Sequence, residues 1–257
     1  MRFIVVAALV AGLMLATSAH AQQSEARRQC LASSGVSADQ RLASCTWAIQ
    51  SGRETQSLAG LYQERASIYY ARKDFDRAIQ DLDTAIKNDA NSSAAFTNRG
   101  WAYIYKGRID LAITDFNRAV ALDPYKASAF YGRGRAYMEK SKWDFDAYLN
   151  EERYEGLAIA SFDQAIRINP SYQDAFYRRG LVHENLPQYD RAIADHTEAI
   201  RLDPKDVFAL KDRANAYRMT RQYDRAIADY RQVLSMKIED RMRSYVETIL
   251  KRLGAVS

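Results

Sequence analysis

The sequence predicts an all-α protein, an α-solenoid of five helix-turn-helix units with a helical hairpin before it and a capping helix after it. Three observations carry this reading. The first is a 34-residue recurrence of large and small residues, clearest from Ser93, where Phe96, Gly100, Tyr103, Ala112, Phe116, Ala119 and Pro124 hold positions 4, 8, 11, 20, 24, 27 and 32. A small residue at position 8 is expected to let the second helix approach at its own small residue, position 20, while aromatics at 4, 11 and 24 fill the remaining space. The second is punctuation: Gly107 falls where the two helices must turn, and Pro124 follows the second helix, where a missing N–H and a fixed φ discourage continuation. The third is the ending, where Met242, Tyr245, Val246, Ile249, Leu250 and Leu253 recur at helical spacing with charges between them and Gly254 as a stop, as a cap over residues 241–257 requires.

Taken from its start, the chain opens with Met1 and Arg2, an uninterrupted apolar run from Phe3 to Ala16, and then Thr17, Ser18 and Ala19-His20-Ala21. A basic start, an apolar run shorter than the roughly 20 residues of a membrane span, and a small-x-small pattern predict a secretory signal peptide over residues 1–21, cut after Ala21. No cysteine lies just beyond the cut, so a lipid anchor is not expected, nor is a membrane span after cleavage. The formal charge of +5 drops by one with Arg2. A balance this mild does not indicate a nucleic-acid partner.

Export sets the reading of the two cysteines, because in an oxidising compartment a pair is usually a bridge. Residues 22–58 are expected to form a hairpin of two short helices, Glu25 to Ala32 and Ala38 to Ile49, turning at Ser33-Ser34-Gly35 and joined by a disulfide between Cys30 and Cys45. A redox-active or metal-binding pair fits less well, since there is no C-x-x-C and no nearby histidine in the mature chain.

The repeats fall into register over residues 59–240. Residues 59–92 carry Tyr62, Ala66, Tyr69, Ala78, Leu82 and Ala85; residues 93–126 are the unit described above. Residues 127–172 begin with Phe130, Gly134 and Tyr137, but reach Ala158, Phe162, Ala165 and Pro170 only after 12 extra residues. Residues 173–206 carry Phe176, Gly180, His183, Ala192, His196, Ala199 and Pro204, and residues 207–240 carry Leu210, Ala214, Tyr217, Ala226, Tyr230 and Val233. This pattern closely resembles the tetratricopeptide repeat. The cysteine hairpin before the first repeat, with Cys45-Thr46-x-x-Ile49-x-Ser51-Gly52, resembles the leading hairpin of exported tetratricopeptide-repeat proteins of Gram-negative bacteria, which implies a periplasmic or secreted location.

The resemblance further implies that the first helices line a concave groove, with positions 2, 5, 6, 9, 12 and 13 pointing into it. On that register the partner-binding residues are Asn98, Trp101, Tyr105, Tyr131, Arg135, Tyr177, Arg178, Lys211 and Asn215. Aromatics beside arginines are the composition of binding hot spots, and Arg135 and Arg178 could hold a carboxylate through forked hydrogen bonds. Lys211 and Asn215 match the first two positions of the clamp some members use for peptide C-termini, but the rest of that clamp needs repeats where this chain has only its cap. The insertion from Ser141 to Arg153, with Trp143, Phe145 and Tyr148 among acidic residues, is a second candidate partner site. Asp144, Asp146, Asn150 and Glu155 fall at calcium-loop spacing, but Tyr148 and Leu149 stand where an oxygen ligand and a glycine are required.

No catalytic constellation stands out. There is no G-x-S-x-G, phosphate-binding loop or zinc spacing, and His183 and His196 sit at packing positions, where His183 is expected beside Tyr189 and His196 beside Phe176. Neither cofactor nor metal is expected, and Glu139 and Glu184 are not a positioned acid–base pair. The expectation is a non-enzymatic periplasmic scaffold binding an extended or helical segment of an envelope protein. A glycan-associated adaptor is the alternative, since an aromatic-lined face can also stack sugar rings.

Overall fold

The computed structural model describes residues 21–32, 34–51, 58–143 and 151–255, with the backbone alone at Trp143 and residues 151–153. All regular structure in the described residues is helical. A helix over residues 21–30 (α1) is followed by α2 (Ala38–Gln50), α3 (Leu58–Ala71), α4 (Phe75–Asn88), α5 (Ser93–Tyr105) and α6 (Ile109–Leu122). Then come α7 (Ala127–Trp143), α8 (Glu151–Ile168), α9 (Gln173–Asn185), α10 (Tyr189–Leu202), α11 (Val207–Met219), α12 (Tyr223–Ser235) and α13 (Asp240–Arg252). Contacts group the chain into two compact units divided between Leu122 and Asp123, just before Pro124. Within each unit the helices stack as antiparallel pairs, the arrangement of an α-solenoid. The stretch expected to be a signal peptide, apart from Ala21, lies outside the described residues, as do Phe145 and Tyr148 of the insertion. What is described there shows α7 and α8 running to 17 and 18 residues, where their counterparts have 13 or 14. The extra residues therefore begin by lengthening both helices, and Tyr137 stacks on Tyr154 across the extended pair at 6.4 Å.

Local sequence explains where these helices start and stop. Ser37 caps α2 through a reciprocal box with Gln40, while Asp74, Ser92 and Asp206 accept from free N–H groups of α4, α5 and α11. Each tight turn inside a pair closes by one device. The N–H of Asp74, Arg108, Gln188 and Gln222 donates to the carbonyl of Tyr69, Tyr103, His183 and Tyr217 respectively, at 2.8 to 2.9 Å, and the residue before each donor takes positive φ. Gly107 does so freely, at 69°; Lys73 and Arg221 are forced to 60° and 61°. Replacing either with glycine is expected to raise stability by about 1 kcal/mol, read as a higher denaturant midpoint with an unchanged slope.

The core is a ring-in-gap lock repeated through the stack. Phe116 packs on Gly100, Phe162 on Gly134, and His196 on Gly180 so closely that a Cβ built on each glycine would stand 3.0, 2.6 and 2.6 Å from the ring. The gap at position 8 thus receives the ring at position 24, packed so closely that these three glycines leave no room for a side chain.

A second, polar device ties each pair. Arg65, Arg99, Arg179 and Arg213, on the first helices, each bond both carboxylate oxygens of the aspartate sixteen residues on, Asp81, Asp115, Asp195 and Asp229, at 2.6 to 2.9 Å. All four aspartates are buried. Arg99 and Arg179 reach further, to Asp83 and Asp163, the second helix of the preceding repeat. The guanidinium of Arg99 is held protonated well above its ordinary range, chiefly by its hydrogen bonds to Asp115. In the repeat that carries the insertion, Ser161 replaces the aspartate and accepts from Arg133 Nε at 3.1 Å.

Cys30 and Cys45 are bonded as expected, joining α1 to α2. Both are fully buried against Ala48 of α2 and Leu61 and Ile68 of α3, so the bridge is part of the core that seats the hairpin on the first repeat. Arg41 and Arg72 add ion pairs to Glu64 and Asp39 at its edge.

Candidate functional site

Which side of each unit faces inward follows from helix packing. In the second unit α7 adjoins α9 and α9 adjoins α11, whereas α8, α10 and α12 adjoin chiefly their own partner and the first helix that follows. First helices that touch one another lie on the tighter side of the curve. The same holds in the first unit, where α3 adjoins α5.

In the first unit Asn98 is exposed, and Trp101 is half-buried with its ring edge-on to Phe116 at 5.6 Å. Tyr105, 61% exposed, stacks on Phe75 at 5.0 Å and meets Tyr70 edge-on at 5.7 Å, so it belongs to an aromatic group at the turn end of the pair.

In the second unit Tyr131 is only 7% exposed, held between Phe162 and Tyr172. Its ring serves packing between repeats, because Tyr172, in the turn before α9, covers it. Arg135 is half-buried on the same helix. The remaining predicted residues are brought together. Tyr177 of α9 donates its hydroxyl to Asp212 Oδ2 of α11 at 3.0 Å, and Arg178 lies over the Tyr177 ring at 5.4 Å. Lys211 pairs with Asp212, and the Asn215 amide donates to the same carboxylate at 3.4 Å. Asn215 in turn accepts from two hydroxyls, Tyr230 of α12 at 2.6 Å and Tyr245 of α13 at 3.0 Å.

The hub is therefore Asp212, a buried carboxylate absent from the residues predicted from sequence, with Tyr230 and Tyr245 completing the chain. Position 6 was legible for Asp212, but Tyr245 reads from its spacing as a seam residue of the cap. Burial, followed by the charge of Asp212, pushes the Tyr177 hydroxyl far above its ordinary value, and burial pushes Tyr230 up to about 12. Both stay protonated donors in neutral solution. What results is a face of pre-set aromatic and polar groups.

The two histidines border this face from within the core. His196 is fully buried over Gly180, its ring 5.7 Å from that of Tyr177 and its Nε2 3.2 Å from Glu184. His183 meets Gln188 at 2.9 Å and Asp195 at 3.8 Å. Burial holds His183 below its ordinary value of 6.5. The unfolded chain therefore takes up a proton that the folded state refuses. The stability this contributes is complete above pH 6.5 and is lost as pH falls toward the folded value. Replacing it with the tyrosine that the other repeats carry there, His183→Tyr, is expected to flatten the fall in melting temperature on acidification below 6.5, measured against wild type.

The same repeat architecture recurs among known proteins. A model described as TPR repeat matches residues 100–141, and models described as tetratricopeptide repeat match 59–92, 145–207 and 197–228. No curated protein matches the chain. Among solved structures, MamA is 25% identical with a TM-score of 0.59, over 70% of this chain and 91% of that one. A tetratricopeptide protein of Thermus thermophilus is 22% identical with a TM-score of 0.59, over 75% and 98%. YrrB, described as a TPR protein with an unusual peptide-binding site, is 17% identical with a TM-score of 0.59, over 79% and 97%. Repeat register, ring-in-gap packing, family models and solved folds converge: this chain belongs to the tetratricopeptide repeat family.

Proposed function

We propose that the chain is an exported scaffold, without catalytic activity of its own, that holds an extended or short helical segment of another envelope protein on the first-helix face of its second unit. The observation that carries this is the chain of groups from Tyr177 through Asp212 and Asn215 to Tyr245, with Arg178 beside it. Its members are fixed by one another before any partner arrives, so binding costs little ordering. Proteins of this family are generally non-catalytic and bind peptides or proteins, and YrrB has a peptide-binding site on the same fold. The leader over residues 1–21 and the buried bridge between Cys30 and Cys45 support an oxidising compartment.

The test is affinity capture from solubilised bacterial envelope with residues 22–257, beside an Arg178→Glu variant of verified helicity, and N-terminal sequencing of protein recovered from cells. A protein retained by the first and lost by the second, with a mature start at Gln22, is the expected result. Glycan captured without protein, or capture indifferent to Arg178, would overturn the reading of this face. An uncut cytoplasmic protein would overturn export.

A further inference from the structure

On this face α11 presents Phe208, Asp212, Asn215 and Met219, spaced i, i+4, i+7 and i+11 and therefore one stripe along the helix. Its centre is occupied by the Asp212 and Asn215 network, but its two ends are apolar and open: Phe208 is 57% exposed and Met219 50%. Beside the stripe are two cations with capacity to spare. The Nε atoms of Arg178, on α9, and Arg218, on α11, are buried without a hydrogen-bond partner, and neither arginine forms an ion pair among the described residues. Arg218 stands beside the Tyr230 hydroxyl, and Arg178 over the Tyr177 ring. Lys211, by contrast, is committed to Asp212, and the Asn215 oxygen already accepts two hydroxyls.

Building on the scaffold reading above, we propose that the segment bound here is internal, acidic and flanked by apolar residues. Its carboxylate would accept from the Arg178 and Arg218 guanidinium groups, and its apolar side chains would cover Phe208 and Met219. Buried donors without acceptors favour an anion over a cation, and charge-assisted bonds are the strong ones. Because Lys211 and Asn215 are already engaged, a free C-terminal carboxylate has no clamp to enter. Phe208 and Met219 are about 16 Å apart along the helix at 1.5 Å per residue, a distance spanned by about five residues of extended chain. With side chains alternating, two apolar residues on one side are then about four or six positions apart.

The test uses a peptide blocked at both ends, with a Leu-Ser-Asp-Ser-Leu core in a serine and glycine context, titrated calorimetrically into the mature protein. Two further peptides carry lysine in place of aspartate, or serine in place of both leucines. Saturable binding of the acidic peptide is expected, weakened about tenfold by Arg178→Gln or Arg218→Gln and by the exposed-site change Phe208→Ser. Both control peptides should bind worse. The inference is overturned if the lysine peptide binds equally well, if the folded arginine variants bind the acidic peptide undiminished, or if the acidic peptide does not bind. Partner capture that persists alongside any of these results would leave the scaffold reading standing and remove only this specificity.

Discussion

Arg99→Ala is expected to cost about 3–5 kcal/mol of stability, the range for removing one partner of a buried ion pair. Its carboxylate partner, Asp115, is almost wholly buried, so water cannot replace the two lost bonds at 2.7 and 2.8 Å. The same side chain holds Asp83 at 2.7 Å, so its loss also loosens the preceding repeat. Asp115→Asn alone should cost less, because an amide keeps one acceptor for the guanidinium. The double variant should be less unstable than the sum of the two singles, since it leaves no orphaned carboxylate. Urea midpoints across that cycle check the account. Strict additivity would mean that the ladder contributes no coupling.

Removing the bridge is the second large effect. Cys30→Ala with Cys45→Ala is expected to destabilise the first unit by about 3 kcal/mol, from the entropy returned to an unfolded loop of this length. To this is added imperfect packing where the sulfurs filled a fully buried space against Leu61 and Ile68. Because α2 adjoins α3, loosening should extend to the first repeat. Hydrogen exchange in α3 should then quicken while α11 and α12 are unchanged. Reduction of the wild-type protein should reproduce the effect, and equal melting temperatures for oxidised and reduced protein would contradict it.

The repeat was legible in the sequence because its packing residues recur: Gly100, Gly134 and Gly180 against Phe116, Phe162 and His196 are a pattern before they are a structure. The arginine–aspartate ladder recurs just as regularly, at 65/81, 99/115, 179/195 and 213/229, yet charged residues are ordinarily solvated. Only the approach of the two helices shows that these four aspartates are buried. Tyr131 and Tyr177 share position 5, and spacing cannot separate them. One is covered by Tyr172 and serves the core; the other reaches Asp212 and serves the face. Such differences depend on the neighbouring repeat, beyond what a single repeat's register encodes.

The central claim, that the first-helix face of the second unit engages a partner, is tested most directly by site-specific photo-crosslinking in intact cells. Benzoylphenylalanine would replace Phe208 or Met219 on that face, and Ala194 or Ala228, exposed on α10 and α12, on the opposite side. The account predicts a discrete protein adduct from the first two positions, abolished by Arg178→Glu, and none from the alanine positions. Adducts from Ala194 or Ala228 alone would contradict it.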